Sequence, residues 1–282
     1  MTPDYVNRRF RVALVATTWL LAAILFRAPL GAQGASAATA PVNAKTWIGH
    51  AAEIEDYLRT AEIIKTEGTA QGVTRPRKCT LAPGGPVEFL AFKAIAPGTY
   101  DEGFRESYKA EIAAYELDKL IQLDMVPPTV EKTYQGKKGA AVMWASPTKS
   151  LVEMGAKGIP TAPAPYTEKF DFTVNEAYLF DGLIGDPDPN LGNWLVDPAW
   201  NLVLIDHSRA FTRDMIFPVP LRYIPLELWN RMKALTVESL TPALGKWLDK
   251  TDIKAIVERR DKMQKMVDDL VKKYGADNVY IK

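Results

Sequence analysis

Asp188-Pro189-Asn190-Leu191-Gly192-Asn193-Trp194-Leu195-Val196-Asp197, followed by Leu202-Val203-Leu204-Ile205-Asp206, is the stretch on which the fold turns. The apolar runs 194–197 and 202–206 are strand-like, and Pro198-Ala199-Trp200-Asn201 between them has turn residues at both ends. This predicts a β-hairpin. A four-residue loop pairs 197 with 202, and counting back along both strands sets Asn193 opposite Asp206. Two oxygen-bearing side chains then meet at the open end of the hairpin, with Asp188 on the loop leading into it. An Asp, four residues, an Asn and then an Asp ending an apolar run is an order suited to phosphoryl transfer. The first Asp takes the acceptor hydroxyl's proton, while the Asn and the second Asp hold Mg²⁺ or Mn²⁺ on ATP.

Two other readings of the same residues stay open. Asp and Asn are turn formers, so Asp186 to Asn190 alone describes a loop. Asp186, Asp188, Asn190 and Asp197 also fall at positions 1, 3, 5 and 12 of a calcium loop. Against that, Leu191 stands where such a loop needs Gly, Asp197 stands where Glu is usual, and Asp206 is left without a role.

A phosphoryl-transfer site also needs a nucleotide-holding half, and candidates lie upstream. Val87 to Lys93 is strand-like and ends on a lysine, where a phosphate-binding amine belongs. Ser107 to Leu123 reads as an amphipathic helix with Ala110, Ala113, Ala114, Leu117, Leu120 and Ile121 along its apolar stripe. Glu111 borders that stripe, so it can point inward at Lys93 and orient the amine. Earlier still, two strands, 61–66 and 77–81, flank a loop from Glu67 to Pro76. Its Gly68 and Gly72 let backbone N–H groups approach phosphate. The loop is neither G-x-G-x-x-G nor a Walker A motif, and a plain hairpin reads equally well.

Glu106 to Asp118 with Val126-Pro127-Pro128-Thr129-Val130, and the block Asp188 to Phe211, resemble the HipA-like kinases. That superfamily is related to the phosphatidylinositol 3-/4-kinases and, more distantly, to the secretory-pathway casein kinases. The resemblance spans roughly residues 55 to 275. It implies a two-lobed α+β protein-kinase-like fold, with an N-terminal sheet plus one helix and a mostly helical C-terminal lobe around a β-hairpin active site. It further implies Lys93 as the phosphate lysine, Glu111 as its partner, Asp188 as catalytic base, and Asn193 and Asp206 as metal ligands. Three positions depart from the family pattern: Asp186 where Asn is frequent, Pro189 after the catalytic Asp, and Asn190 where His is frequent. Pro189 lacks an N–H and stiffens the loop. It is the feature that favours the competing reading, a pseudokinase that binds nucleotide or metal without turnover.

The 282 residues, 47% apolar and 24% charged, suit a large core. Net charge is +1, and the first 37 residues hold four Arg and one Asp, leaving about −2 without them. No basic patch for nucleic acid follows from that. Two histidines and one cysteine exclude a zinc or disulfide framework. His207-Ser208 invites a hydrolase reading, yet no G-x-S-x-G accompanies it. Both residues belong to the turn after Asp206.

Arg8, Arg9 and Arg11 precede an apolar run from Val12 to Phe26, and small residues follow through Ala37. This is the order of a secretory signal, with membrane anchoring through residues 12–26 as the alternative. An exported protein, periplasmic, secreted or held in a secretory compartment, is expected. The chain then divides into a signal over 1–37, a linker over 38–54, a nucleotide-covering lobe over 55–145, and a catalytic helical lobe over 146–282. Within the last, 148–168 reads as an exposed insertion. Thr173 to Ile184 is a helix, and a final helix capped by Thr251 ends at Gly275. The acceptor is expected to be a protein hydroxyl.

Overall fold

The computed structural model describes residues 43–282 except 69–76, 102, 216 and 218–219. The expected signal, the apolar run 12–26 and Gly72 lie outside the described residues. The described residues fall within one compact unit. Helix α1 (Ala51–Thr60) precedes strands β1 (Ile63–Gly68), β2 (Arg77–Leu81) and β3 (Phe89–Lys93). A small hairpin, β4 (Thr99–Asp101) and β5 (Phe104–Glu106), leads into α2 (Tyr108–Ile121), followed by β6 (Thr129–Tyr134) and β7 (Lys137–Met143). The large sheet has the order β1-β2-β3-β7-β6 and is antiparallel throughout.

Strand periodicity sorts its two faces. Leu90 and Phe92 join Cys79, Leu81, Ile54 and Leu58 in a cluster under α1. On the opposite face Ala91 meets Tyr108, Ile112, Ala140 and Val142, which packs α2 against the sheet. Lys93, two residues beyond Ala91, shares that second face. Ser107 caps α2 by accepting the Lys109 N–H at 3.1 Å. The helix buries Ala110, Glu111, Ala113, Ala114, Leu117 and Ile121, but Leu120, expected in the stripe, is 41% exposed. With 3.6 residues per turn, 117 and 121 already fill the contact and 120 rotates outward.

The C-terminal part is mostly helical. It contains β8 (Lys149–Ser150), α3 (Thr167–Ile184), β9 (Trp194–Val196), β10 (Leu202–Leu204), β11 (Ile224–Pro225), α4 (Leu226–Lys233), α5 (Val237–Leu244), α6 (Lys250–Tyr274) and β12 (Tyr280–Ile281). Helix α3 starts six residues earlier than expected, and α6 is capped by Asp249, which accepts the Thr251 and Asp252 N–H groups. The segment 148–168 is not wholly an exposed insertion. Its β8 pairs with β9, and Leu151 and Ala162 are buried in the main core. None of the described helices is long and apolar enough to cross a membrane.

The hairpin forms, with its register one residue away from the expected one. Val196 faces Leu202, Leu195 faces Val203, and Trp194 faces Leu204. The loop is effectively three residues, because Asp197 N–H donates to Asn201 C=O at 3.2 Å. The Asp197 carboxylate accepts from the Ala199 and Asn201 N–H groups, both at 2.8 Å, and Trp200 takes a left-handed backbone at φ 56°. A turn ending on such a residue is the ordinary three-residue hairpin solution. Asn193 consequently pairs with Ile205, whose N–H it accepts at 3.0 Å, and not with Asp206.

Candidate active site

The two strands that carry the site approach it from different parts of the chain. Lys93 ends β3, and its ammonium donates to Glu111 Oε1 at 2.5 Å and to Asp206 Oδ1 at 2.8 Å. Residues 18 and 113 positions apart from Lys93 therefore meet on one nitrogen. Backbone geometry fixes the two carboxylates. The His207 N–H donates to Glu111 Oε2 at 3.1 Å, and Ser208 C=O accepts the Ser107 N–H at 2.9 Å, stitching the turn after Asp206 to the start of α2. Asp206 itself sits at φ 64°, a left-handed conformation that Asp tolerates better than most residues. That conformation breaks the side-chain alternation of β10. The one-residue change in register therefore does not carry the Asp206 carboxylate away from Lys93.

One ammonium between a buried carboxylate, Glu111, and a half-buried one, Asp206, leaves the cluster with an excess negative charge. Burial disfavours the Lys93 cation, but Asp206 and Glu111 overcome this and hold its pKa above the ordinary lysine range. Burial raises the Glu111 carboxyl and is only partly offset by Lys93. Burial acts the same way on Asp206, yet there the ammonium wins and the carboxyl stays below its ordinary value. Asp186 lies close enough to feel this charge. Its carboxyl is pushed up to about 7, first by burial and then by Asp188, Asp206 and Glu111, although it accepts the Asp188 N–H at 2.9 Å. His207 is buried with its ring edge-on to Phe180. Burial and the nearby Lys93 lower its pKa to about 3, so the imidazole is neutral.

Asp188 is tied to the residue that precedes the cap of α2 through an arginine that the sequence did not single out. Arg209 Nη1 donates to Asp188 Oδ2 at 2.8 Å, while its Nε donates to the buried Glu106 at 2.7 Å. The guanidinium lies 4.6 Å from the centre of the Phe104 ring. Glu106 and Arg209 are 103 residues apart, so no local spacing announces their pairing. Asp186 was visible as a turn residue, as the first position of the alternative calcium loop and as a departure from a family pattern, but not as a member of this cluster.

The remaining expected residues are more loosely placed. Asn193 stands at the hairpin's open end, one residue from Asp206 across the ladder, and its side-chain amide has no hydrogen bond among the described residues. Gly68 closes β1 opposite Arg77, and a Cβ there would meet nothing within 4 Å, so no close backbone approach requires glycine. The described residues contain no group of three or more His, Cys, Asp or Glu side chains able to hold a metal. Asp197, the last position of the alternative calcium loop, has its oxygens occupied at the hairpin turn and by the Ala44 N–H.

Further out on the same sheet face, Thr80, Phe89 and Ala91 lead away from Lys93. There Lys78 Nζ lies 4.0 Å from the Phe89 ring centre and 4.7 Å from that of Trp144. Phe89 and Lys93 are four residues apart, roughly 13 Å along a strand. An aromatic pair and a paired lysine thus mark the two ends of one face of β3.

No family model matches the chain, and no curated protein matches it. Solved structures do. A Golgi casein kinase crystallised with Mn and ADP superposes with a TM-score of 0.60 at 13% identity, covering 82% of this chain and 78% of that one. Hydra Fam20, solved with sugar, gives 0.59 at 16% identity, over 81% of this chain and 91% of its own. The Helicobacter pylori proinflammatory kinase CtkA gives 0.50 at 10% identity, over 78% and 98%. The chain therefore has the mixed α+β fold of the atypical kinases, with a sheet-rich N-terminal part and a helical C-terminal part.

Proposed function

We propose that the protein is an ATP-dependent phosphotransferase that moves the γ-phosphoryl group to a hydroxyl, most simply a protein Ser or Thr. The observation that carries this reading is the convergence of Glu111 and Asp206 on Lys93, in a fold shared with kinases. We further propose that residues 55–145 cover the nucleotide and that residues 146–282 carry the catalytic loop, as the resemblance to HipA-like kinases implies. In that arrangement Glu111 holds Lys93, and Lys93 neutralises the α/β-phosphates. Phe89, Ala91 and Trp144 border the nucleobase.

The donor set fits a divalent cation. The buried cluster carries more carboxylate than ammonium, and Asn193 offers an amide oxygen that no described group engages. Asp206 and Asn193 would hold Mg²⁺ or Mn²⁺, with phosphates and water completing the shell. When bound, the ion supplies charge neutralisation across the β- and γ-phosphates. Asp188 accepts the acceptor hydroxyl's proton as the new O–Pγ bond forms and the bond from Pγ to the β-phosphate oxygen breaks, releasing ADP.

Thermal unfolding with ATP and Mg²⁺ tests this directly. A specific ligand at 100-fold excess over its dissociation constant adds about 2.7 kcal/mol. The parent is expected to shift and Asp206→Ala to lose the shift. Asp188→Ala is expected to keep it while losing phosphoryl transfer. A parent that does not shift sinks the nucleotide reading. Pro189 beside the proposed base favours a second reading, a binding module without turnover, and a parent that shifts yet never forms ADP would establish it. Export, with delivery to a secretory compartment, is the localisation we propose from the N-terminal sequence, and secretion with and without residues 1–37 tests it.

A further inference from the structure

Arg209 is placed where it can control the proposed base without touching nucleotide. Its side chain is only 9% exposed, whereas that of Asp188 is 35% exposed to solvent. The ion pair uses Asp188 Oδ2, and no described group donates to Oδ1. One carboxylate oxygen is thus clamped, and the other, on a side chain 35% exposed, accepts from no described group. The clamp is itself held. Glu106 fixes the guanidinium from the opposite side at 2.7 Å, and Phe104 lies against its face. Glu106 immediately precedes Ser107, the cap of α2, and α2 carries Glu111. The turn after Asp206, which carries Arg209, also delivers the His207 N–H to Glu111. A shift of α2 therefore moves Glu111 and Glu106 together, and through Arg209 it reaches Asp188.

We infer that Arg209 is a positioning residue: it sets the rotamer of Asp188 and ties that setting to the seat of α2 through Glu106. The inference rests on the phosphotransferase reading. A planar fork with donors on two edges holds two carboxylates in fixed directions, whereas a lysine that serves two carboxylates, as Lys93 does, acts as a rotatable point charge and fixes the plane of neither. Arg209 holds a carboxylate that acts on the acceptor, so its loss should slow turnover and leave nucleotide binding in place.

The test uses residues 38–282 and follows Mg²⁺-dependent ADP release and autophosphorylation. Removing Arg209 alone strands Glu106 as a buried charge. The balanced variant Glu106→Leu/Arg209→Met removes one buried anion together with one buried cation, so the net charge of the interior is unchanged. Its kcat is expected to fall roughly 100-fold, with KM for ATP and the ATP-induced thermal shift within about threefold of the parent. Arg209→Lys, which keeps charge and fold, is expected to lose about tenfold in kcat and serves alone if the double variant does not fold. In an Asp188→Asn background the same changes should cost almost nothing more, because the residue they act through is already gone. Unchanged kcat in folded variants, or an equal loss in both backgrounds, overturns the inference while the phosphotransferase reading survives. A parent that binds no ATP overturns that reading and the inference with it.

Discussion

At the scale of single residues the site is governed by how few cations stand among its carboxylates. Lys93 serves both Glu111 and Asp206, so Lys93→Met leaves two buried acids facing one another. Breaking a buried pair by removing one partner costs about 3–5 kcal/mol. The two acids must then share a proton, which raises a folded-state pKa above its unfolded value and makes stability fall as pH rises. The variant is accordingly expected to lose most by urea unfolding at pH 7 and to recover part of the loss toward pH 5. Asp186 makes the same argument in the parent. Its folded pKa is raised to about 7, so the native state prefers the neutral acid and becomes less stable as pH climbs through 7. Asp186→Asn keeps the oxygen that accepts the Asp188 N–H and removes the ionisation. In metal-free buffer it is expected to gain on the order of a few kcal/mol over the parent at pH 8, roughly a third of that at pH 5 and little at pH 4. An equal effect at both pH values would mean that the Asp186 carboxyl is not the titrating group. The Lys93 and Glu111 positions were legible because each lay on an element with clear periodicity, the strand-end lysine and the inward edge of a helix. Arg209 was not, since an arginine three residues after Asp206 has no period to betray a partner 103 residues away.

Elements set where those residues point, and their ends matter more than their middles. Helix α3 stops at Gly185 in a left-handed conformation, φ 61°, directly before the loop that carries Asp186 and Asp188. Arg259 of α6 is fully buried against that end. It donates to the Leu183 and Ile184 carbonyls and to that of Thr212 in the segment beyond Asp206. A helix end leaves carbonyls unpaired, and here a distant arginine pairs them. A Cβ on Gly185 would come within 2.7 Å of the Arg259 guanidinium. Gly185→Ala is therefore expected to cost roughly 2–4 kcal/mol, combining left-handed strain of about 1–2 kcal/mol with displacement of Arg259 from its carbonyls. Urea unfolding measures it, and a cost below about 1 kcal/mol would show that Arg259 yields without losing its partners. The existence of α3 and α6 was readable from apolar spacing, but their first turns were not. α3 begins on a polar turn, and α6 takes Asp249 as its cap two residues before the expected Thr251. The hairpin shows the same limit. Both strands were legible from composition, whereas the register depended on Trp200 accepting a left-handed turn position, which nothing in a tryptophan predicts.

Across the whole molecule, residues 43–47, within the segment read as a linker, act as a strap. Ala44 and Trp47 are buried, and the Ala44 N–H donates to Asp197 Oδ2 at 2.9 Å, at the turn of the β9–β10 hairpin. Trp47 joins a cluster that contains Leu81 of the large sheet and Val203 of β10, with Leu195 and Ile205 packed against it. One apolar cluster therefore spans the sheet that carries Lys93 and the hairpin that leads to Asp206, and the strap closes it. A lone tryptophan in a polar stretch has no periodicity, which is why composition suggested a linker there while the sheet-plus-helices plan was readable. Cleavage at Ala37, the expected end of a signal, keeps the strap, whereas a chain starting at residue 51 lacks it. Losing a buried tryptophan from a core costs about 3–5 kcal/mol, and the Asp197 turn loses a donor as well. The shorter chain is expected to unfold at correspondingly lower urea concentration than one starting at 38. Its ATP-induced thermal shift should also shrink, because the loosened cluster no longer fixes Asp206 against Lys93. Trp47→Ala in the longer chain should reproduce most of both effects without altering the charge. If the two chains unfold together, the strap is peripheral; if stability falls while the ATP shift is unchanged, the cluster supports the fold and the seat of the site is set by the Lys93–Glu111–Asp206 contacts alone.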